Sequence, residues 1–375
     1  MNRFSVLMLS LLFVMLQFAP AFGQALNPIS PQNQMEAALD LVERSLVKGA
    51  RTESRLVDDI LNKDLRYSVF ELEELTLTYS KISQGKDEIR MLEAQKVTRA
   101  LENAIGSYAF YVEVVEFFEK EMKAWSESLK LSKKELTQIA LLQQKAIHQR
   151  DEEKLKFIDW LSLNGWLNGE RVGELKKVAA KFGWPKKKKD AELVRGFVAK
   201  KLNQIRERLA KNEYDPHQVE SGIHELRRDL RRIIMQFQFM PGLVKLTEGP
   251  LNDVLSEVLE GVTVSPKYLQ LRTMKSRTPV AVLEQDFKAM IFFVKTLGKA
   301  KDNGQFQEQV EKLAQEAGLT ETLSHALADK MIQSLPYPER DFVETSKATM
   351  TTIGRSAVLE RLHAALSGCA KALQD

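Results

Sequence analysis

The chain has 375 residues, of which 44% are hydrophobic and 28% charged, so it is apolar enough to fold and long enough for one large or two moderate domains. Its net charge of +4 does not by itself call for a nucleic-acid partner. A single cysteine, Cys369, excludes an internal disulfide framework and a cysteine-built zinc site, and reads as a small apolar residue near the C-terminus.

In chain order, Met1-Asn2-Arg3 is a short basic start, and Phe4 to Phe18 is almost wholly apolar. Ala19-Pro20-Ala21-Phe22-Gly23-Gln24-Ala25 then supplies small residues at cleavage spacing. Residues 1–25 therefore read as a secretory signal peptide, cut after Gly23 or Ala25. No later run reaches the ~20 apolar residues of a membrane span, so no transmembrane segment is expected after its removal. The expected location is the periplasm or the exterior. Residues 26–34, with Pro28 and Pro31, read as a linker.

From Met35 onward the apolar positions follow a helical period. Helices are expected over Met35–Lys48, Glu53–Ile82, Lys86–Leu129, Lys133–Gln149, Asp151–Leu163, Glu170–Phe182, Ala191–Asn212, His217–Phe239, Leu251–Glu260, Pro279–Leu297, Gln305–Ala317, Glu321–Ser334 and Asp341–Leu373. Ser132-Lys133-Lys134-Glu135 is a capping-box signature. No stretch alternates as a strand does, and the three Asn-Gly pairs fall between helical patterns rather than between strands. The fold class is all-α, built of helical bundles.

Gly183-Trp184-Pro185 followed by Lys186, Lys187, Lys188 and Lys189 combines turn chemistry with a charge run. It divides a helical region at 35–183 from a C-terminal domain at 184–375. Between Trp184 and Met240 there are fourteen Lys or Arg against eight Asp or Glu, so the positive charge is local. Elsewhere, Ser107–Trp125 concentrates aromatics at helical spacing and reads as a core or partner-packing seam. Glu71, Glu73 and Glu74 read as an exposed acidic patch. The Glu360-x-x-His363 pair has no second copy, so no metal site is expected. No Gly-rich phosphate loop or G-x-S-x-G elbow is present, and no cofactor or enzymatic activity is expected.

The densest charge is in "HELRRDLRRI", His224 to Ile233. With His224 at zero on a helical wheel, Arg227 falls at about −60°, Arg231 at about −20°, Arg228 at about +40° and Arg232 at about +80°. Val219, Ile223, Leu226, Leu230, Ile233, Ile234 and Phe237 gather around about −120° as the core face. Arg227 and Arg231 border that face. Arg228 and Arg232 lie toward the outer edge, where Glu225 and Asp229 are their expected i,i+3 partners.

The spacing of His224, Arg227, Arg231 and Arg232 in "VESGIHELRRDLRRIIMQF" resembles the conserved histidine α-helical domain, the CHAD family, whose first motif is H-x-x-R-x-x-x-R-R-x-R. The preceding "ELVRGFVAKKLNQIRERLAKNEYDPHQVE" is similar to that family's lead-in helix. The motif's final arginine is Ile234 here, and Arg228 adds a charge the motif does not have. "IGRSAVLERLHAAL", Ile353 to Leu366, stands where a second motif is expected, with Ile353 at its leading histidine position. The resemblance covers the chain after Trp184 only. It implies two four-helix halves and a basic channel for inorganic polyphosphate.

The expectation is thus an exported binding protein for polyphosphate or another phosphate-rich polyanion. Arg227 and Arg231 are the main ligands, His224, Arg228 and Arg232 support them, and Lys186–Lys189 extend the path. The alternative is a periplasmic helical scaffold for a protein partner.

Overall fold

The computed structural model describes residues 30–48, 63–128, 130–250, 252–265, 279–335 and 340–368, with Leu56, Ile60, Leu269, Leu271 and Arg272 between them. The signal-peptide residues, Cys369 and most of 49–62 lie outside the described residues.

The chain is all-α: twelve α-helices occur among the described residues, with one two-stranded ribbon. They are α1 (Pro31–Glu43, continuing as a wide π turn over Arg44–Lys48), α2 (Lys63–Ile82), α3 (Lys86–Glu127), α4 (Lys133–Leu163), α5 (Glu170–Lys181), α6 (Lys187–Ala210), a π turn over Val219–His224 running into α7 (Glu225–Phe239), α8 (Asp253–Leu259), α9 (Glu284–Glu316), α10 (Glu321–Gln333), α11 (Phe342–Ser356) and α12 (Val358–Ser367). None of the described helices is long and apolar enough to cross a membrane.

Local signals explain several boundaries. The expected linker at 26–34 gives way to helix from Pro31: Ser30 caps it by accepting from the Asn33 amide, and proline is preorganised for the first helical position. The capping box at α4 is formed, with the Ser132 amide donating to Glu135 Oε2 at 2.7 Å and the Glu135 amide donating to Ser132 Oγ. The expected break at Arg150 does not occur, and α4 runs unbroken to Leu163. The expected helix at 341–373 divides at Ala357, whose φ of 53° is left-handed.

The region from Pro279 departs most from expectation. Val280–Leu283 is a strand paired in parallel with β1 (Val244–Thr247), Val244 opposite Val280, and is β2. Two four-residue strands far apart in sequence leave no hairpin signature, so this pairing had no local trace. After β2, α9 continues through Gly298 and Asn303-Gly304, where a break was expected.

Packing follows two clusters. The larger joins buried residues from Met35 to Leu366 and draws on both sides of the boundary at Trp184, including Val69, Leu72 and Tyr79 of α2 and Leu226, Leu230 and Ile233 of α7. The smaller sits where α3, α4, α9 and α10 meet, around Phe118, Trp125 and Phe306. The aromatic seam of Ser107–Trp125 serves both: Tyr108 stacks on Phe157 in the larger cluster, while in the smaller Phe117 stacks on Phe306 with centroids 4.0 Å apart and Trp125 Nε1 donates to the Met331 carbonyl at 3.0 Å.

Candidate anion-binding site

The basic helix begins in an unusual turn. The Ile223 amide donates to the Gln218 carbonyl at 3.0 Å, an i→i+5 bond, so Val219–His224 is wound more loosely than an α-helix. Asp215 crosses against Gly222 so closely that a Cβ there would stand 1.8 Å from the Asp215 carbonyl oxygen. Gly222 thus sets the turn that aims His224.

From that turn, α7 runs against α9. A Cβ on Gly304 would come 2.6 Å from Val219 Cγ2, and one on Gly298 would come 2.9 Å from Arg227 Nε. The two glycines let the helices approach, with rising numbers on one matching falling numbers on the other. Between these contacts, Lys301 of α9 acts on His224: both are set in from solvent, and the Lys301 side chain is only 10% exposed. Lys301 Nζ donates to Asp302 at 2.9 Å.

The five residues singled out on α7 divide into two kinds. Arg228 and Arg232 are neutralised. Arg228 pairs with Glu225, as the sequence suggests. Arg232 does not take Asp229, which is occupied by Arg208 and by the Tyr214 hydroxyl, each at 2.8 Å. Arg232 turns instead to α2, donating Nε to Glu74 Oε1 at 2.8 Å and Nη2 to Glu73 Oε1 at 2.9 Å. The acidic patch expected at the surface is therefore buried: Glu71, Glu73 and Glu74 are 5%, 4% and 2% exposed. Glu71 binds Arg272. Burial drives the Glu74 carboxyl up to about 7, against the pull of Arg232 and with a further push from Glu73.

His224, Arg227 and Arg231 form the second kind. None has an ion-pair partner among the described residues. His224 Nδ1, Arg227 Nε and Arg231 Nε, with Arg228 Nε beside them, are buried without a hydrogen-bond partner among the described residues. Unsatisfied buried donors are uncommon and each calls for a cause. Arg231 lies over the face of Phe70 of α2, its Cζ 4.1 Å from the ring centroid. Burial, then the charge of Arg227, lowers its pKa to about 9, while Glu102 of α3 and Glu73 pull the other way and Arg66 adds to the lowering. His224 is pushed down to about 3 by burial, then by Lys301, Arg227, Arg231 and Arg228. At neutral pH it is an uncharged imidazole among cations. Burial raises Glu102 above the usual carboxylate range, against Arg231.

Other sequence candidates fall elsewhere. Lys186 and Lys189 are exposed at the start of α6, and no hydrogen bond or ion pair ties either to the stripe; the side chains of Lys187 and Lys188 lie outside the described residues. Nearby Asp190 accepts from the Tyr79 hydroxyl at 2.9 Å, beyond Glu73 and Glu74 along α2. In the segment matching a second motif, Arg361 forks onto buried Asp286 at 2.6 to 3.2 Å, and Glu360 accepts from Arg206. Arg361 and Glu360 are thus taken up in ion pairs with α9 and α6. Among the described residues, no group of three His, Cys, Asp or Glu side chains is placed to hold a metal ion.

Lys301, Arg66, Phe70, Glu102, Gly222, Gly298 and Gly304 all shape the site and carry no motif. The small residues in "LGKAKDNG" were a trace of the close α7–α9 approach, but glycine inside a helical pattern reads first as a break. No family model, curated protein or solved structure matches the chain.

Proposed function

We propose that the protein is an exported binding protein, not an enzyme, and that α7 recognises a phosphate-rich anion such as inorganic polyphosphate. One observation carries this reading. Arg227 and Arg231 sit on one helix face with His224, against Lys301 of α9, and neither arginine has an acid paired to it among the described residues, although the other arginines in contact with α7 are matched to carboxylates. Clustered like charges oppose one another, and the charge of Arg227 adds to burial in lowering the pKa of Arg231. A bound phosphate group removes that repulsion and supplies acceptors for forked guanidinium donors. Export rests on the apolar run and cleavage spacing of residues 1–25.

The test is a titration of inorganic polyphosphate into the wild type and into the Arg227→Glu/Arg231→Glu double variant at graded salt. The wild type is expected to bind at low salt and weaken as salt rises, because each neutralised phosphate releases counterions. The double variant is expected not to bind. Equal binding by both, or none by either at low salt, would make the stripe structural and favour a scaffold for a protein partner.

A further inference from the structure

The cationic stripe is short and closed at both ends by acid. His224 to Arg231 spans ~10 Å of helix axis, at 1.5 Å per residue. Past Arg231, the next basic residue, Arg232, is already committed to Glu73 and Glu74, and Glu102 faces Arg231 from α3. Past His224, the opposite end runs into Glu220, which accepts from Gln305 of α9. Glu308 of α9 stands with Glu220 and Glu311 near enough for their charges to raise its pKa, after burial. Glu311 is paired with His325 at 2.8 Å, but Glu220 and Glu308 have no cationic partner among the described residues. A long polyanion laid along α7 would therefore find the next cation already paired past Arg231 and carboxylates past His224, whereas one confined to the stripe lies against Arg227, Arg231, His224 and Lys301.

Resting on the reading above that this stripe binds phosphate, we propose that its ligand is a short oligophosphate of roughly three phosphoryl groups, matched to the ~10 Å between the acidic ends, and not the running length of a long chain. Glu220 and Glu308 act as specificity determinants by repelling a chain that continues past His224. Like charges at such contacts discriminate between ligands by penalising the wrong one rather than by adding affinity for the right one.

The experiment is a chain-length series by isothermal titration: pyrophosphate, tripolyphosphate and long-chain polyphosphate, with concentration expressed per molecule. Affinity is expected to climb from pyrophosphate to tripolyphosphate and then to level or fall. The salt dependence for tripolyphosphate is expected to reflect about three neutralised charges. In Glu220→Gln/Glu308→Gln, long-chain affinity is expected to gain about tenfold relative to tripolyphosphate, a change of ~1.4 kcal/mol. Glutamine keeps the hydrogen-bonding shape of both positions, so folding is expected to persist. Affinity that keeps rising with chain length in the wild type, or an unchanged ratio in the variant, overturns the length limit and leaves phosphate binding standing. Absence of binding at every length overturns both.

Discussion

Gly298 of α9 lies directly against Arg227 of α7: a Cβ built on it would stand 2.9 Å from Nε and 3.4 Å from Cζ. The atoms it would meet belong to the far end of a flexible side chain, not to backbone. Gly298→Ala is therefore expected to move Arg227 while leaving the fold intact, since alanine also gains ~1 kcal/mol of helix propensity over glycine. Anion affinity is expected to drop about tenfold, within the worth of one charge-assisted hydrogen bond. Thermal denaturation and titration of the same sample check both halves.

Gly222→Ala is expected to behave in the opposite way. The atom it would meet is the Asp215 carbonyl oxygen at 1.8 Å, which is backbone and cannot swing aside. The π turn would have to open, at a cost near the upper end of overpacking, about 3 kcal/mol. Stability and binding are expected to fall together, measured by chemical denaturation and by titration.

Arg232→Met removes the cation shared by two buried carboxylates, and a broken buried pair costs about 3–5 kcal/mol. The cost is expected to depend on pH. Arg232 is the largest influence lowering Glu74, which already titrates at about 7. Without it the carboxyl stays protonated to higher pH, and a neutral carboxyl tolerates burial. Arg232→Met is thus expected to be less destabilising at pH 5 than at pH 8 in denaturant titrations. Equal cost at both pH values would contradict this account.

His224 and Glu74 oppose each other in the pH dependence of folding. His224 falls from 6.5 to about 3 on folding, so between those values the unfolded chain binds more protons and stability rises with pH. Glu74 rises from 4.5 to about 7, so in that window the folded chain binds more protons and stability falls with pH. Relative to wild type, His224→Gln is expected to tilt stability downward as pH rises from 4.5 to 6.5, and Glu74→Gln to tilt it upward. Denaturation midpoints of the three proteins across that range decide it. For the same reason, no gain in anion affinity is expected from protonation of the free protein's His224 near pH 6.5.

The helical class, the core face of α7 and the partly buried setting of Arg227 and Arg231 were all legible in the sequence. They follow from periodicity, and a helix of period 3.6 fixes which residues share a face before any partner is known. The pairing of Arg228 with Glu225 was legible for the same reason, being an i,i+3 relation within one helix. What lies across from a face is not encoded within one helix. Glu71, Glu73 and Glu74 looked solvent-exposed because three carboxylates in four residues usually are; only the packing of α2 on α7 and on Arg272 gave them cations and so made their burial tolerable. Asp229 was drawn from Arg232 to Arg208 and Tyr214 by the return of α6 and its following turn. Lys301 joined the site because Gly298 and Gly304 let α9 approach, and those glycines looked like a break. Local periodicity thus set where the arginines stand on their own helix, and the tertiary structure decided which of them are neutralised, because charge balance depends on contacts between helices distant in sequence.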